Sequence, residues 1–232
     1  PDITKGSDGA DDPESWNEAY NSKGPETKVP GLAELLSNNP GGLKKGTGSS
    51  QSFSVVEADG NDLIHSDGKT AQKAVELIAK YKKIEKPFFL AVGFARPHVP
   101  LVAPKRYFSL YDIEGIELPA KVPGDLEDIP KNPANRRTTN NYEMDLNQQK
   151  RVVRAYYASV SFVDSMVGKI LDALEETGQR DKTIVIFTSD HGYHLGEHDL
   201  WQKVSIHEES VKVPLIISVP GKNPVVCHSL TE

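Results

Sequence analysis

Residues 184–187, Ile-Val-Ile-Phe, form an unbroken apolar run preceded by Thr183 and followed at once by Thr188-Ser-Asp-His-Gly192. A short β-branched run of this kind suits a strand buried on both faces, as in a parallel sheet. In an open α/β sheet, ligands bind just beyond the carboxyl ends of the strands. Here that position holds the carboxylate of Asp190, the imidazole of His191 and a glycine that lets the backbone turn tightly. His194, Glu197, His198 and Lys203 follow within a dozen residues. Polar groups at a buried strand end are costly unless they bind something or each other, so this stretch predicts a site.

The remaining patterns place that strand in an α/β chain. A helix is predicted from about Gly68 to Lys83, with Ala71, Ala74, Val75, Ile78 and Ala79 on one face and Asp67 as its N-cap. Phe88–Phe94 is a second buried-strand candidate, and it too ends in polar residues, Arg96-Pro-His-Val-Pro100. The two prolines restrict the backbone on either side of His98. A long helix follows from about Leu146 to Thr177. Its expected buried stripe is Val153, Tyr156, Tyr157, Val160, Val163, Val167, Ile170, Leu171 and Leu174, and Gly178 is its stop. Asp164, beside that stripe, is expected to be hydrogen-bonded. Lys212–Val219 supplies a third buried strand. Helices alternating with strands in this order read as α/β with a largely parallel sheet.

The first 64 residues differ, being rich in Gly, Pro, Ser, Asn and Asp. They read as an irregular, loop-rich insertion, with Leu32–Leu36 its one short helix and residues 65–232 the α/β part. Gly41–Gly48 resembles a phosphate loop only loosely, having neither a preceding strand nor a Gly-Lys-Ser/Thr ending. Residues 101–145 are a second irregular region, apart from one helical turn near Tyr107–Tyr111. Arg136-Arg137 could meet an acidic substrate or simply face solvent.

Charge and cysteine content exclude several classes. With 33 acidic and 27 basic residues the chain carries a formal charge of −6, against nucleic acid as the main partner. No apolar run approaches the ~20 residues of a membrane span. A single cysteine, Cys227, excludes an intrachain disulfide and a thiolate zinc cluster.

The chemistry at the strand ends narrows the rest. Asp190 and His191 can face one cation, oxygen donors favouring calcium or magnesium and nitrogen donors favouring zinc. Two ligands are too few, so others must come from elsewhere. His194 and His198 stand at i, i+4 and would suit zinc on one helix, but Gly196 between them makes that helix doubtful. Lys203 is either a surface lysine or a fixed charge for an anionic oxygen. His98 is either a structural imidazole or a catalytic one. A cation site, a strand-end histidine and a lysine together suggest metal-assisted hydrolysis of an anionic ester, without separating sulfate from phosphate.

Phe88-Phe-Leu-Ala-Val-Gly-Phe-Ala-Arg-Pro-His-Val-Pro100 and Phe187-Thr-Ser-Asp-His-Gly-Tyr-His-Leu-Gly-Glu-His-Asp-Leu-Trp-Gln-Lys203 resemble the sulfatase family, most of all its iduronate-2-sulfatase type. Ala155–Asp164 and Lys212–Gly221 fit the same pattern, so the resemblance covers about residues 65–232. It implies an alkaline-phosphatase-like α/β sandwich with a mostly parallel central sheet and helices on both faces. It implies Asp190 and His191 as calcium ligands and His98, Lys203 and His198 as substrate contacts, with His98 and Lys203 catalytic. The substrate implied is a sulfate ester, such as a 2-sulfated uronic acid of a glycosaminoglycan, in a periplasmic, secreted or lysosome-like setting. A phosphodiesterase or phosphonate hydrolase of the same superfamily, or a non-catalytic binding or scaffold module, is the alternative. The family's nucleophile is a formylglycine made from a Cys/Ser-x-Pro-x-Arg motif. Cys227-His-Ser-Leu-Thr231 has neither the proline nor the arginine, and Ser218-Val-Pro-Gly-Lys222 has lysine for arginine. Asp11-Asp12 follows no buried strand and is not a convincing calcium pair. The expectation is therefore an internal segment of a longer sulfatase, inactive alone, with the nucleophile and the other metal ligands outside it.

Overall fold

The computed structural model describes residues 12, 14–25, 28–36, 53–84, 86–127, 129–130, 140–203 and 205–227. Asp11, Gly41–Gly48 and Arg136-Arg137 lie outside the described residues.

The spine is helix α3, Leu146–Glu176. (Shorter elements are numbered in chain order: β1 Gly31–Leu35, β2 Ser54–Ala58, α1 Ser66–Ile84, β3 Leu101–Pro104, α2 Lys105–Phe108, β4 Val185–Thr188, β5 His194–Leu195, β6 Trp201–Gln202, α4 Glu208–Val211 and β7 Leu215–Ser218.) Both ends of α3 are closed by local chemistry. Asp145 and Gln148 form a reciprocal capping box, with bonds of 2.8 and 2.9 Å. At the other end Gly178, φ +66°, donates to the Glu175 carbonyl and Gln179 to that of Leu174, a Schellman motif. The buried face differs from the expected stripe. It runs through Val152, Val153, Ala155, Ala158, Ser159, Phe162 and Met166, whereas Tyr157 and Val160 are 38% and 44% exposed. Small residues mark where β3 and α1 approach the helix, which a count of large apolar side chains misses. Asp164 is exposed.

Strands β1, β2 and β3 form one sheet in that order. β1 is antiparallel to β2 and β2 is parallel to β3, joined through α1 as a crossover. Its two faces follow the period of two. Val55, Leu101 and Ala103 join the main core with Phe53, Phe108, Phe162 and Met166, and Val56, Ala58 and Val102 pack with Val29 on the other side. The Leu32–Leu36 helix is thus corrected to a strand, since pairing with β2 decides its conformation over local propensity. Among its described residues, the stretch read as irregular holds two strands.

The other apolar runs also differ from expectation. β4 pairs antiparallel with β7, and the ribbon is open: Ile186, Ile216 and Ile217 are 61%, 59% and 56% exposed. Val185 packs on the seam of α1 and α3, against Ile78, Ala173 and Leu174. Leu90 packs on the same seam, but Phe88–Phe94 joins no ladder among the described residues, and Phe89 stacks on Trp16 at 6.0 Å. The α/β character stands. Parallel pairing, expected for most of the sheet, occurs among the described residues only between β2 and β3. The apolar runs record burial on two faces, and here a single face is covered by helices.

Candidate active site

The turn after β4 is built on Gly192. Its N–H donates to the Ser210 carbonyl at 2.8 Å, and a Cβ there would lie 2.1 Å from the Glu209 carbonyl oxygen. Only glycine lets residues 190–192 sit this close to α4. Ser189 Oγ donates to the His191 carbonyl at 3.0 Å, and the His191 N–H donates to Asp190 Oδ1 at 3.1 Å. The Asp190 side chain is 86% exposed and its second oxygen stands 3.7 Å from His191 Nε2.

The His191 ring is oriented by its neighbour's carbonyl. Nδ1 lies 2.7 Å from Gly192 O. A carbonyl only accepts, so Nδ1 carries the proton and the Nε2 lone pair points outward. Lys203 Nζ sits 2.8 Å from that lone pair. The lysine is delivered by the β5–β6 hairpin, in which Leu195 pairs with Trp201. Trp201 is 4% exposed and packs edge-on against Phe53, at 5.5 Å. The structure therefore brings Asp190, His191 and Lys203 together: an exposed carboxylate and an imidazole lone pair from the turn after β4, and an ammonium from the hairpin.

These residues fit a divalent cation as half a site. The carboxylate and the Nε2 lone pair converge, and the Gly192 carbonyl fixes the ring as an outer partner does for a metal-bound histidine. The ammonium of Lys203 meets the same lone pair that a cation would use. No group of three or more metal-binding side chains occurs among the described residues.

His98 lies on the loop after the Phe88–Phe94 segment. Its ring is exposed, and Nδ1 lies 2.5 Å from the Val99 carbonyl, which leaves Nε2 facing outward. It makes no hydrogen bond to Asp190, His191 or Lys203 among the described residues. Both loops rest on the main core, one through Phe94 and Val99 and the other through Tyr193, Leu195 and Trp201.

His198 belongs to a different cluster. In a left-handed conformation, φ 56°, it places Nδ1 2.7 Å from Asp125 and Nε2 3.4 Å from Glu209, and it stacks on His207 at 4.5 Å. Burial opposes its protonation, but Asp125 and Glu209 outweigh burial and hold it above the ordinary imidazole value. His194 is 1% exposed and held at 2.8 Å by Ser205, and burial pulls its value down. The two rings meet edge to face at 6.1 Å rather than converging on one point, so the i, i+4 zinc pair does not form.

Sequence reasoning missed Asp62, Asp125 and Glu209. Asp62 is 4% exposed and takes Arg106 at 2.6 Å and Lys169 at 2.9 Å. Burial would raise its carboxyl, but Lys169 and Arg106 reverse that and hold it low. Its partners stand 44 and 107 residues away, beyond any local signal.

Residues 13–231 match the sulfatase family profile. The chain belongs to the sulfatase family. Over 169 residues it is 37% identical to the iduronate 2-sulfatase of Homo sapiens, covering 67% of this chain and 31% of that protein. It is 40% identical over 145 residues to a sulfatase of Formosa agariphila, covering 60% and 29%. Among solved structures it resembles the phosphonate monoester hydrolase of Silicibacter pomeroyi, at TM-score 0.62 and 25% identity, covering 72% and 36%. This sulfatase chain thus spans about three-tenths of the curated relatives it matches. The fold is the α/β fold of the alkaline-phosphatase-like enzymes. No described helix of the sulfatase chain is long and apolar enough to cross a membrane.

Proposed function

We propose that the protein to which this chain contributes hydrolyses sulfate esters, and that Asp190, His191 and Lys203 form part of its sulfate and cation pocket. The observation that carries this reading is the 2.8 Å approach of the Lys203 ammonium to the outward lone pair of His191, beside the exposed Asp190 carboxylate. Asp190 and His191 would hold a divalent cation, calcium by analogy with the family. Such a cation, when bound, supplies positive charge to the sulfate oxygens. Lys203 adds a second positive charge at the same place, where it favours charge that grows as the ester bond breaks. His98 presents Nε2 and, with both ring nitrogens protonated, donates the Nε2 proton to the leaving alcohol oxygen. His198, already held by Asp125 and Glu209, is not among the sulfate contacts and instead fixes the neighbouring loop. The nucleophile and the remaining metal ligands are assigned to parts of the protein outside these 232 residues.

The likeness to iduronate 2-sulfatase supports a sulfated sugar, such as a 2-sulfated uronic acid, as substrate class. The likeness to a phosphonate monoester hydrolase supports a second reading, since a lysine point charge serves either tetrahedral anion. The test is turnover by the full-length protein of 4-nitrophenyl sulfate, a 2-sulfated uronide and phenyl phosphonate. Preference for the sulfates bears the proposal out. Preference for the phosphonate by orders of magnitude selects the second reading, and turnover of none of them leaves a binding module.

A further inference from the structure

We propose that Asp67 and Arg96 are positioning residues for His98, a pair of buried charges that hold the loop beneath its exposed ring. The proposal rests on the sulfatase reading above, in which His98 gives its proton to the leaving oxygen. Asp67 is in the first turn of α1 and 3% exposed. Its two carboxylate oxygens accept one N–H each from consecutive residues, Ala95 at 2.8 Å and Arg96 at 3.0 Å. The His98 N–H donates to the Ala95 carbonyl at 2.9 Å. Prolines 97 and 100 have no N–H, so three of the four N–H groups from residue 95 to residue 100 are tied down.

The carbonyl side is held by Arg96. This side chain is 5% exposed, and burial lowers its guanidinium to about 10, so it remains charged at neutral pH. Nε donates to the Val102 carbonyl at 3.2 Å and a terminal nitrogen donates to the His98 carbonyl at 3.1 Å. The fork therefore spans the loop from His98 to the start of β3. With the His98 backbone held at both its N–H and its C=O, the ring's Nδ1–H donates to the Val99 carbonyl and Nε2 faces outward, the nitrogen that delivers a proton from the imidazolium form. Gly68 seats the brace: a Cβ there would lie 2.0 Å from the Asp62 carbonyl oxygen, so the start of α1 is pressed against the Asp62 turn. Burying a carboxylate and a guanidinium under one exposed loop carries a desolvation cost that an ordinary turn has no need to meet. Fixing a proton donor within a fraction of an ångström gives that cost a purpose, since a misplacement of about 1 Å can cost about 100-fold in rate.

The test uses the full-length protein and two sulfate esters that differ in their need for a proton. An alkyl or glycosyl sulfate releases a basic oxygen that must be protonated as the S–O bond breaks, whereas 4-nitrophenyl sulfate releases a stable phenolate. His98→Ala is expected to lose about 100-fold or more in kcat on the alkyl ester and little on the aryl ester. Asp67→Asn turns one acceptor oxygen into a donor, and Arg96→Lys keeps the charge but cannot span two carbonyls. Both are expected to share the selective loss, by about 10- to 100-fold in kcat with KM nearly unchanged. Equal losses on both esters, in step with a lowered Tm, would make the pair merely structural and overturn the proposal, as would no loss at all. Where Asp67→Asn does not fold, Arg96→Lys decides. If His98→Ala shows no leaving-group selectivity, the proposal falls while the sulfatase reading stands. A wild-type protein that hydrolyses neither ester sinks the sulfatase reading first, and the proposal with it.

Discussion

Lys203 and His198 lie five residues apart and do different work. Lys203 is half-buried and directs its ammonium at Nε2 of His191. Lys203→Ala in the full-length protein is expected to lower kcat/KM by about 100-fold, with Tm shifted by no more than a few degrees. Comparable losses in both measurements would make it a structural lysine. His198 bridges two carboxylates, and its value in the folded protein is raised. Its contribution to stability is therefore complete below the ~6.5 of a free histidine and fades as pH rises through the higher folded value. The Tm gap between wild type and His198→Gln should be widest in mild acid and close on going alkaline. His194, lowered by burial, acts in the opposite sense but is common to both proteins. A gap that does not change with pH would show that His198 is neutral throughout. At this scale the sequence marked Asp190, His191 and Lys203, because all three fall within one stretch of 14 residues. It could not show Asp125 or Glu209 on His198, nor that Asp67, which looks like a helix cap, turns instead to residues 95 and 96.

Elements whose ends are defined by local chemistry were the most legible. Gly178 closes α3 in the sequence as it does in space, while the Asp145–Gln148 cap came to light only in the structure. Asp145→Ala is expected to cost about 1 kcal/mol in urea unfolding, and an unchanged midpoint would show the cap to be idle. The face of α3 was less legible, because Ala155, Ala158 and Ser159 reveal themselves only when β3 and α1 lie against them. β1 shows the limit of propensity: Leu32–Leu36 suits either conformation, and β2 settles the matter. The turn between β4 and β5 depends on Gly192. Gly192→Ala drives a methyl group into the Glu209 carbonyl. A cost of about 2 kcal/mol is expected, together with weaker calcium binding by the full-length protein in calorimetry. A variant as stable as the wild type would show that the turn can move away from α4.

Across the whole molecule, one half is packed on both sides and the other is not. β2 and β3 are buried on two faces while β1 carries Leu32 at 56% exposure, and β4 and β7 present Ile186, Leu215, Ile216 and Ile217 to solvent. Exposed apolar strands with free edges promote association. The 232-residue chain expressed alone is expected to self-associate, and the pair Ile186→Thr and Ile217→Thr to shift it toward monomer in light scattering. A monomeric parent chain would refute this. Elsewhere, distant segments are fastened together: His198 holds Asp125 at 2.7 Å and Lys121 holds Asp199 at 2.6 Å. These two clasps join residues 121–125 to the hairpin that carries Lys203. Lengthening the segment between Lys121 and Asp125 would therefore retune the lysine's aim, because Ile116, 5% exposed in the main core, anchors the chain that leads into it.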